Sequence, residues 1–388
     1  GSTAISAATL SLATSVTPVD DSAVITGDTS GSGAEDTTIT GTLAATDIEG
    51  LTDGTVFSIK SSDVPSNGTA SINAESGVWS YTPTANFNGS DSFTVTITDD
   101  LGGTTTQAIA LIITAVNDAP VTTGAGSTLA FTEGDGATVI DSSLTITDAD
   151  DTNIESATVT IFSGFQSAED VLAFSDTSAI TGSWNASTGV LTLSGSDTLA
   201  NYEAALESVT YNNTSDDPNT DNRSISWVVN DGDTSSSAVT STITITAVND
   251  APVLTTPTAG TITETPGSSD TSTSDLSGTL SASDADGDTL TYAITSVYSF
   301  LTSDGTSTQE GSYGSLAVNT TTGAYIYTPN SSAVEALDSG DTAADSFSVT
   351  ATDGSETTTA TFSVNLTGAN DSSIITATST GSLTEDSG

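Results

Sequence analysis

The chain has no cysteine and no histidine, and its only basic side chains are Lys60 and Arg223. Without cysteine there are no disulfides, so small domains must be held by an apolar core, a metal ion or their neighbours. Without histidine or cysteine the nucleophile and base pairs of most hydrolases cannot be assembled, and the usual zinc ligands are missing. The catalysis that remains is carboxylate chemistry of the glycosidase kind, which needs two acids in one cleft. The acids here recur at regular positions instead, so no enzyme is expected. Nucleic acid and anionic membrane surfaces are poor partners, because binding them depends on Lys and Arg. No apolar stretch is long enough to span a bilayer and no segment resembles a signal peptide, so direct membrane insertion is not expected.

Acid is what the chain has in excess. Fifty Asp and Glu give a formal net charge of -48 over 388 residues, which two basic residues cannot neutralise. Divalent cations are the natural source of positive charge. High charge with 5% aromatics usually reads as disorder, but the 35% of hydrophobic residues gather in short alternating runs, which indicates folded domains joined by acidic seams. The length suits about three domains of ordinary size.

Self-comparison locates the seams. Ala115-Val116-Asn117-Asp118-Ala119-Pro120 recurs letter for letter as Ala247-Val248-Asn249-Asp250-Ala251-Pro252. Degenerate copies stand at Pro18-Val19-Asp20-Asp21-Ser22 and Gly368-Ala369-Asn370-Asp371-Ser372. The spacings are 97 residues (21 to 118), 132 (118 to 250) and 121 (250 to 371), which are domain-sized periods. The expected division is a linker or preceding repeat at 1–18, repeats at 19–117, 118–249 and 250–370, and the start of a further repeat at 371–388. Gly1 and Ser2 read as a cloning scar, and the chain as a piece of a longer protein.

Each unit repeats one grammar. An early Glu (Glu35, Glu133, Glu264) precedes a strand-like run ending in paired acids, at Asp47-Ile48-Glu49, Asp148-Ala149-Asp150 and Asp284-Ala285-Asp286-Gly287-Asp288. Later come an alternating strand, an acidic turn and a returning strand. In the first unit Phe93, Val95 and Ile97 alternate with threonines, Asp99-Asp100-Leu101-Gly102-Gly103 turns, and Ile109, Leu111 and Ile113 return to the core. Asn230-Asp231-Gly232-Asp233 and Asp353-Gly354 are the corresponding turns. Gly77-Val78-Trp79-Ser80-Tyr81-Thr82-Pro83 matches Gly323-Ala324-Tyr325-Ile326-Tyr327-Thr328-Pro329, aromatic strands that pack a core. Short Thr/Val/Ile strands between Gly, Asn and Asp turns specify an all-β fold, a tandem array of immunoglobulin- or cadherin-like Greek-key β-sandwiches forming an extended rod. Helix is expected only near 199–206 and 333–337.

These phrases resemble the cadherin-like and VCBS-type tandem repeats of giant bacterial RTX adhesins and related biofilm proteins. The first unit resembles a short cadherin-like repeat and the second a longer one. The third, with Gly278-Thr279-Leu280-Ser281-Ala282-Ser283-Asp284 leading to Asp288-Thr289-Leu290-Thr291-Tyr292, resembles a VCBS repeat. The resemblance implies a secreted or cell-surface bacterial protein, often exported by a type I system, whose repeats form a calcium-dependent stalk. Other partners would be the neighbouring repeats and, through domains outside this stretch, host or biofilm-matrix ligands. The linker phrase is shorter than that of animal cadherins and lacks their Asp-Arg-Glu triplet.

Topology supplies an independent argument. In an immunoglobulin-like order, the loop after the second strand and the last hairpin lie at the end where the chain enters. The acid pair and the acidic turn should therefore converge on the preceding linker. The first full junction would gather Asn117, Asp118, Asp148, Asp150, Asp231 and Asp233, and the next Asn249, Asp250, Asp284, Asp286, Asp288 and Asp353. A degenerate set at the head of the first unit would hold Asp20, Asp21, Asp47, Glu49, Asp99 and Asp100, and Asn370 with Asp371 would open the last seam. Glu133 and Glu264 are candidate additional ligands whose place the sequence leaves open. Converging carboxylates repel, and Ca²⁺, taking six to eight oxygens, removes that cost better than Mg²⁺ with its rigid octahedron. Isolated acids such as Asp63 and Asp197 read as solvated turn residues.

The sequence thus points to a calcium-rigidified adhesin stalk. The alternatives are a segment of an extracellular filament or surface layer, and a sugar- or protein-binding module grafted on 118–249. That longest unit carries Phe162-Ser163-Gly164-Phe165-Gln166 and Trp184, which read better as a structural insertion.

Overall fold

A computed structural model of the chain describes residues 13–17, 19–48, 50–51, 56–266, 274–296 and 299–370. Its regular structure is almost wholly β, in antiparallel sheets closed by one parallel pairing per unit. The buried apolar residues fall into three main clusters along the chain, centred on Trp79, Trp227 and Phe347, so the chain is a tandem of sandwiches with separate cores.

The first sandwich sets the pattern. Val24–Gly27, Ile39–Thr46, Val78–Pro83 and Gly68–Ile72 form one sheet, and Ser30–Ala34, Thr104–Thr114, Gly89–Thr98 and Phe57–Ile59 the other, each in that spatial order. The entering chain is split between them. Val24–Gly27 pairs antiparallel with Ile39–Thr46, and Ser30–Ala34 then pairs parallel with the last strand. Gly27 makes the crossing with φ 98°, where a Cβ would lie 2.3 Å from the Thr42 carbonyl oxygen. This is the strand order of immunoglobulin- and cadherin-like domains. The alternation read from the sequence sets the buried face, with Phe93, Val95 and Ile97 meeting Ile109, Leu111 and Ile113 in the core.

Trp79 is fully buried, edge-on to Phe93 with ring centroids 5.8 Å apart, and its indole N–H donates to the Asp28 carbonyl at 3.1 Å. Strand glycines make room for it. A Cβ at Gly41 would stand 2.3 Å from the indole ring, and one at Gly31 would stand 2.9 Å from it. Gly41→Ala is therefore expected to destabilise the first sandwich by about 1–3 kcal/mol through overpacking, read as a lower denaturant midpoint at unchanged slope.

The second and third sandwiches keep this frame and widen it at different edges. In the second, Asn153–Ser163 pairs with Val190–Thr198, and Thr181–Asn185 extends the sheet to six strands. Helix Leu199–Glu207 follows, capped by Thr198, whose hydroxyl accepts from the Asn201 N–H. In the third, Phe300–Leu301 and Thr306–Glu310 extend the opposite sheet, and the four-residue helix Ser331–Val334 sits where the second helical segment is expected. Phe165 packs edge-on to Trp184 at 6.2 Å, both against the core, so the odd segment of the second unit serves its widened sheet.

The parallel pairing positions the early glutamates. Glu35 N–H donates to Thr114 C=O, Glu133 N–H to Thr246 C=O and Glu264 N–H to Thr367 C=O, at 3.0, 2.9 and 3.0 Å. Each glutamate thus lies at the end where the chain leaves its sandwich, beside the following linker.

Candidate metal sites at the seams

Each early glutamate turns back onto the linker backbone. Carboxylate oxygens of Glu35, Glu133 and Glu264 accept from the N–H of Val116, Val248 and Ala369 at 2.7, 2.8 and 2.7 Å. Glu35 is 4% exposed and Glu264 1%, and in each the second carboxylate oxygen is buried with no hydrogen-bond partner.

From the other side, the head of the next sandwich brings its acids to the same linker. Asn117 Nδ2 donates to Asp231 Oδ2 at 2.9 Å, and the Asp118 N–H faces the Asp150 carboxylate at 3.4 Å. Asp148 Oδ1 accepts from the N–H groups of Asp150 and Asp151, and its other oxygen is buried and unpartnered, as is Asp118 Oδ2. Asp231 Oδ1 accepts from the N–H of Asp233 and Thr234, which closes the acidic turn onto the seam. The second seam repeats the arrangement. Asn249 Nδ2 donates to Asp353 Oδ2 at 2.8 Å, Asp250 N–H to Asp286 Oδ2 at 2.6 Å, and Asp284 Oδ1 accepts from the N–H of Asp286 and Asp288. Oxygens of Asp284, Asp286 and Asp288 lie within 4.8 Å of one another, as do those of Asp148, Asp150 and Asp151.

At the head of the first sandwich Asp20 stands among Asp99, Asp47 and Asp21, while the Asp100 N–H turns to the Gly50 carbonyl. Asn370 follows Ala369 beside Glu264. Glu49 and Asp371 lie outside the described residues.

Glu35, which shares the early-Glu pattern of Glu133 and Glu264 but is not counted with them as a candidate ligand, takes the same place at its exit, and two further acids escape the sequence reading. Asp151 extends the Asp148 and Asp150 pair. Asp216 joins Glu133 and Asp250, with oxygens within 4.8 Å, beside a cleft of about 340 Å³. It sits in the 214–222 connection, whose counterparts at 84–88 and 330–341 differ from it in length and sequence, so no repeat signals it.

The electrostatics divide the acids. Asp151 is raised above its ordinary pKa by desolvation and then by the charges of Asp148, Asp231 and Asp233, and Asp20 by desolvation and then Asp99 and Asp47. Away from the seams, burial alone would raise Asp91, but N–H groups of Asn67, Ser92 and Ser66 and the Tyr81 hydroxyl outweigh it and lower the group. Hydroxyls of Ser143, Ser241 and Ser127 do the same for buried Asp141. Burial and then Asp91 push Tyr81 up to about 12.

The signs fix the pH dependence without metal. The depressed Asp91 and Asp141 stabilise the fold above the unfolded carboxylate value near ~3.9, and that contribution is lost as pH falls through their lower folded values. The raised Asp20 and Asp151 act oppositely, favouring the fold when protonated and losing that contribution as pH rises through their folded values. At the seams Asp231 and Asp353 are also lowered, Asp231 against its burial, by Asn117 and Asn249 with the N–H groups of their turns, so calcium-free protein is expected to lose stability as pH falls into strong acid, read as a falling thermal midpoint.

Comparison with known proteins places parts of the chain. Residues 20–112 match the family model described as a bacterial Ig domain, and residues 249–368 that of a bacterial cadherin-like domain. The first unit, expected to be a short cadherin-like repeat, is thus matched as Ig-like, and the third, expected to be VCBS-like, is matched as cadherin-like. A 129-residue stretch, 32% of the chain, is 40% identical to halomucin of Haloquadratum walsbyi and spans 1% of that protein. Among solved structures, domains EC3–6 of protocadherin gammaB7 align over 90% of this chain and 74% of their own at 18% identity and TM-score 0.39. Domains EC22–24 of mouse cadherin-23 align over 91% of this chain and 100% of their own at 17% identity and TM-score 0.40.

Proposed function

We propose that the chain is a non-enzymatic, calcium-rigidified stalk segment of a large extracellular bacterial surface protein of the adhesin type. Its repeats would span 19–117, 118–249 and 250–370, with a further repeat beginning at 371. The carrying observation is the pair of buried, unpartnered carboxylate oxygens of Glu35 and Glu264, each at a sandwich exit, in a chain with only two basic residues. A buried carboxylate oxygen without hydrogen bond or counter-ion costs several kcal/mol, and a cation is the remedy this composition allows.

The donor set fits the ion. The seams offer carboxylate, amide and backbone oxygens from three segments, which suits the six to eight flexible oxygen ligands of Ca²⁺. Glu35, Asn117, Asp118, Asp148, Asp150, Asp151 and Asp231 would hold it at the first full seam. Glu133, Asp216, Asn249, Asp250, Asp284, Asp286, Asp288 and Asp353 would hold it at the second. Bound calcium would neutralise the seam and fix each linker to both neighbours; without it the linker would repel itself. Low calcium inside a cell and high calcium outside would then couple stiffening to export, as in type I secreted biofilm adhesins. The similarity to halomucin supports an extracellular setting.

Calorimetric titration of chelated protein, paired with small-angle scattering, tests this. Several binding events and a longer, stiffer particle are expected. No heat and no change of shape at millimolar calcium would sink the reading and favour a passive filament segment.

A further inference from the structure

The second sandwich carries a cleft of about 470 Å³ that shares no residue with either seam, between helix Leu199–Glu207 and the loop at 174–180. The helix turns Tyr202, Ala205 and Leu206 into the core, which leaves Asn201, Ala204 and Ser208, three and four residues apart, as an exposed stripe along the cleft. Ala204 offers only a methyl there, so the space stays open. Buried Ile180 and Ala205 form the apolar lining, with the ring of Phe174 beside them. That ring packs against the core and is seated on Gly182, where a Cβ would stand 3.0 Å from it. Among the described residues, neither of the other sandwiches has a helix of this length.

The polar groups around this lining divide into spent and unspent. Thr177 Oγ1 accepts from the N–H groups of Ala179 and Ile180 at 3.3 and 2.9 Å, and Asp176 Oδ1 accepts from the Gly182 N–H at 2.8 Å, which fixes the loop from within. Asp197 reads in the sequence as a solvated turn residue. In the structure its Oδ1 accepts from the Thr198 N–H and from Asn201 Nδ2 at 2.9 and 2.7 Å, so its carboxylate and the Asn201 amide are oriented by each other. Asp197 Oδ2, Asn201 Oδ1 and the hydroxyls of Ser175 and Ser178 take no partner among the described residues. The cleft thus sets two free acceptors and two hydroxyls around an apolar floor with one aromatic ring.

We propose that this cleft binds a neutral hexopyranose residue, so that the second sandwich holds a glycan besides spacing the stalk. A pyranose has an apolar C–H face, which suits the ring of Phe174 and the side chain of Ile180, and a rim of hydroxyls, which suits the oxygens of Asp197 and Asn201. A hydroxyl donating to a carboxylate makes a short, charge-assisted bond. The volume falls within the ~300–1,000 Å³ of small-molecule sites, which combine apolar walls with a few placed polar groups. Asp197 is the one acid of the lining, too few to supply the six to eight oxygens of Ca²⁺, so the site is distinct in chemistry from the seams. Sugar acids and phosphates are excluded by Asp197 and by the -48 charge of the chain around it.

The test is a titration of the full chain, in excess calcium, with the methyl glycosides of glucose, galactose and mannose in turn. It is followed by the backbone amide resonances of Ser178, Gly182 and Ser208, with Gly287 in the distant seam as reference. At least one glycoside is expected to give saturable shifts at the three cleft amides and none at Gly287, while glucuronic acid gives none. Asp197→Asn keeps the Oδ1 acceptor and removes the charge, and should weaken binding about tenfold. Ala204→Leu, on the exposed stripe of the helix, should fill the cleft and abolish the shifts at an unchanged melting temperature. Should Asp197→Asn not fold, Ala204→Leu carries the test alone. Absence of saturable shifts with all three glycosides would overturn the proposal, and so would equal binding by Ala204→Leu, which would place the sugar elsewhere. Equal binding of glucuronic acid would overturn the restriction to neutral sugars. None of these outcomes touches calcium binding, which this protein would show or lack independently.

Discussion

Chelation of calcium is expected to lower the thermal unfolding midpoints of the sandwiches by roughly 5 to 15 °C, measured by calorimetry in excess calcium against excess chelator. The size follows from linkage. If the seam sites have dissociation constants near ~10⁻⁴ to 10⁻³ M, as extracellular calcium modules do, a tenfold to hundredfold excess of ion stabilises each by about 1.4 to 2.7 kcal/mol. A domain of about a hundred residues moves by several degrees per kcal/mol. The first sandwich should respond at both ends, because the set around Asp20, Asp47 and Asp99 lies at its head and Glu35 at its exit. Sodium chloride at equal ionic strength should recover only part of the shift. It screens the self-repulsion of the -48 charge but supplies no six- to eight-coordinate ligand cage. Equal stabilisation by sodium and calcium would show that the seams feel ionic strength alone.

The seams were legible because repetition and topology agree. The Asn-Asp phrase marks the linkers, and the period-2 runs around Phe93 and Phe347 specify sandwich strands. An immunoglobulin-like order then places Asp150 and Asp231 beside Asn117 and Asp118, where the hydrogen bonds put them. The glutamates were half legible. Their repetition showed, but their position at the exit depends on a parallel pairing with a strand about a hundred residues away, and local pattern carries no trace of that. Asp216 was illegible because it belongs to a connection whose length and sequence differ in each sandwich.

Buried polar anchors were missed for a different reason. Asp91 with Tyr81, Asp345 with Tyr327 and Asp170 with Tyr211 are one device in three copies, a carboxylate accepting a buried tyrosine hydroxyl at 3.0, 2.7 and 2.6 Å. The separation between partners is 10 residues in the first sandwich (81 to 91) and 18 in the third (327 to 345), and in the second the order is reversed. No fixed spacing exists to be read, and in a chain this acidic one more Asp looks like another turn.

The largest single-residue effect is expected at the remaining anchor. Arg223→Met should destabilise the second sandwich by about 3–5 kcal/mol, seen as selective early melting of that unit, because it strips the counter-charge from a buried carboxylate. Asp170 is 2% exposed and keeps the Gln166 N–H, the Tyr211 hydroxyl and Asn213 Nδ2 as donors, so it stays bonded but not neutralised. The carbonyls of Asn219 and Asp221 lose their donor in the same step. Asp170→Leu alone should cost a similar amount, since it leaves a fully buried guanidinium whose nearest remaining acid is the partly exposed Glu169. The double change should cost clearly less than the two single changes added together, because desolvation of each ion opposes the attraction between them and disappears with the pair. A strictly additive double mutant would mean that the arginine and aspartate act through separate contacts, and that packing rather than charge holds this side of the second sandwich together.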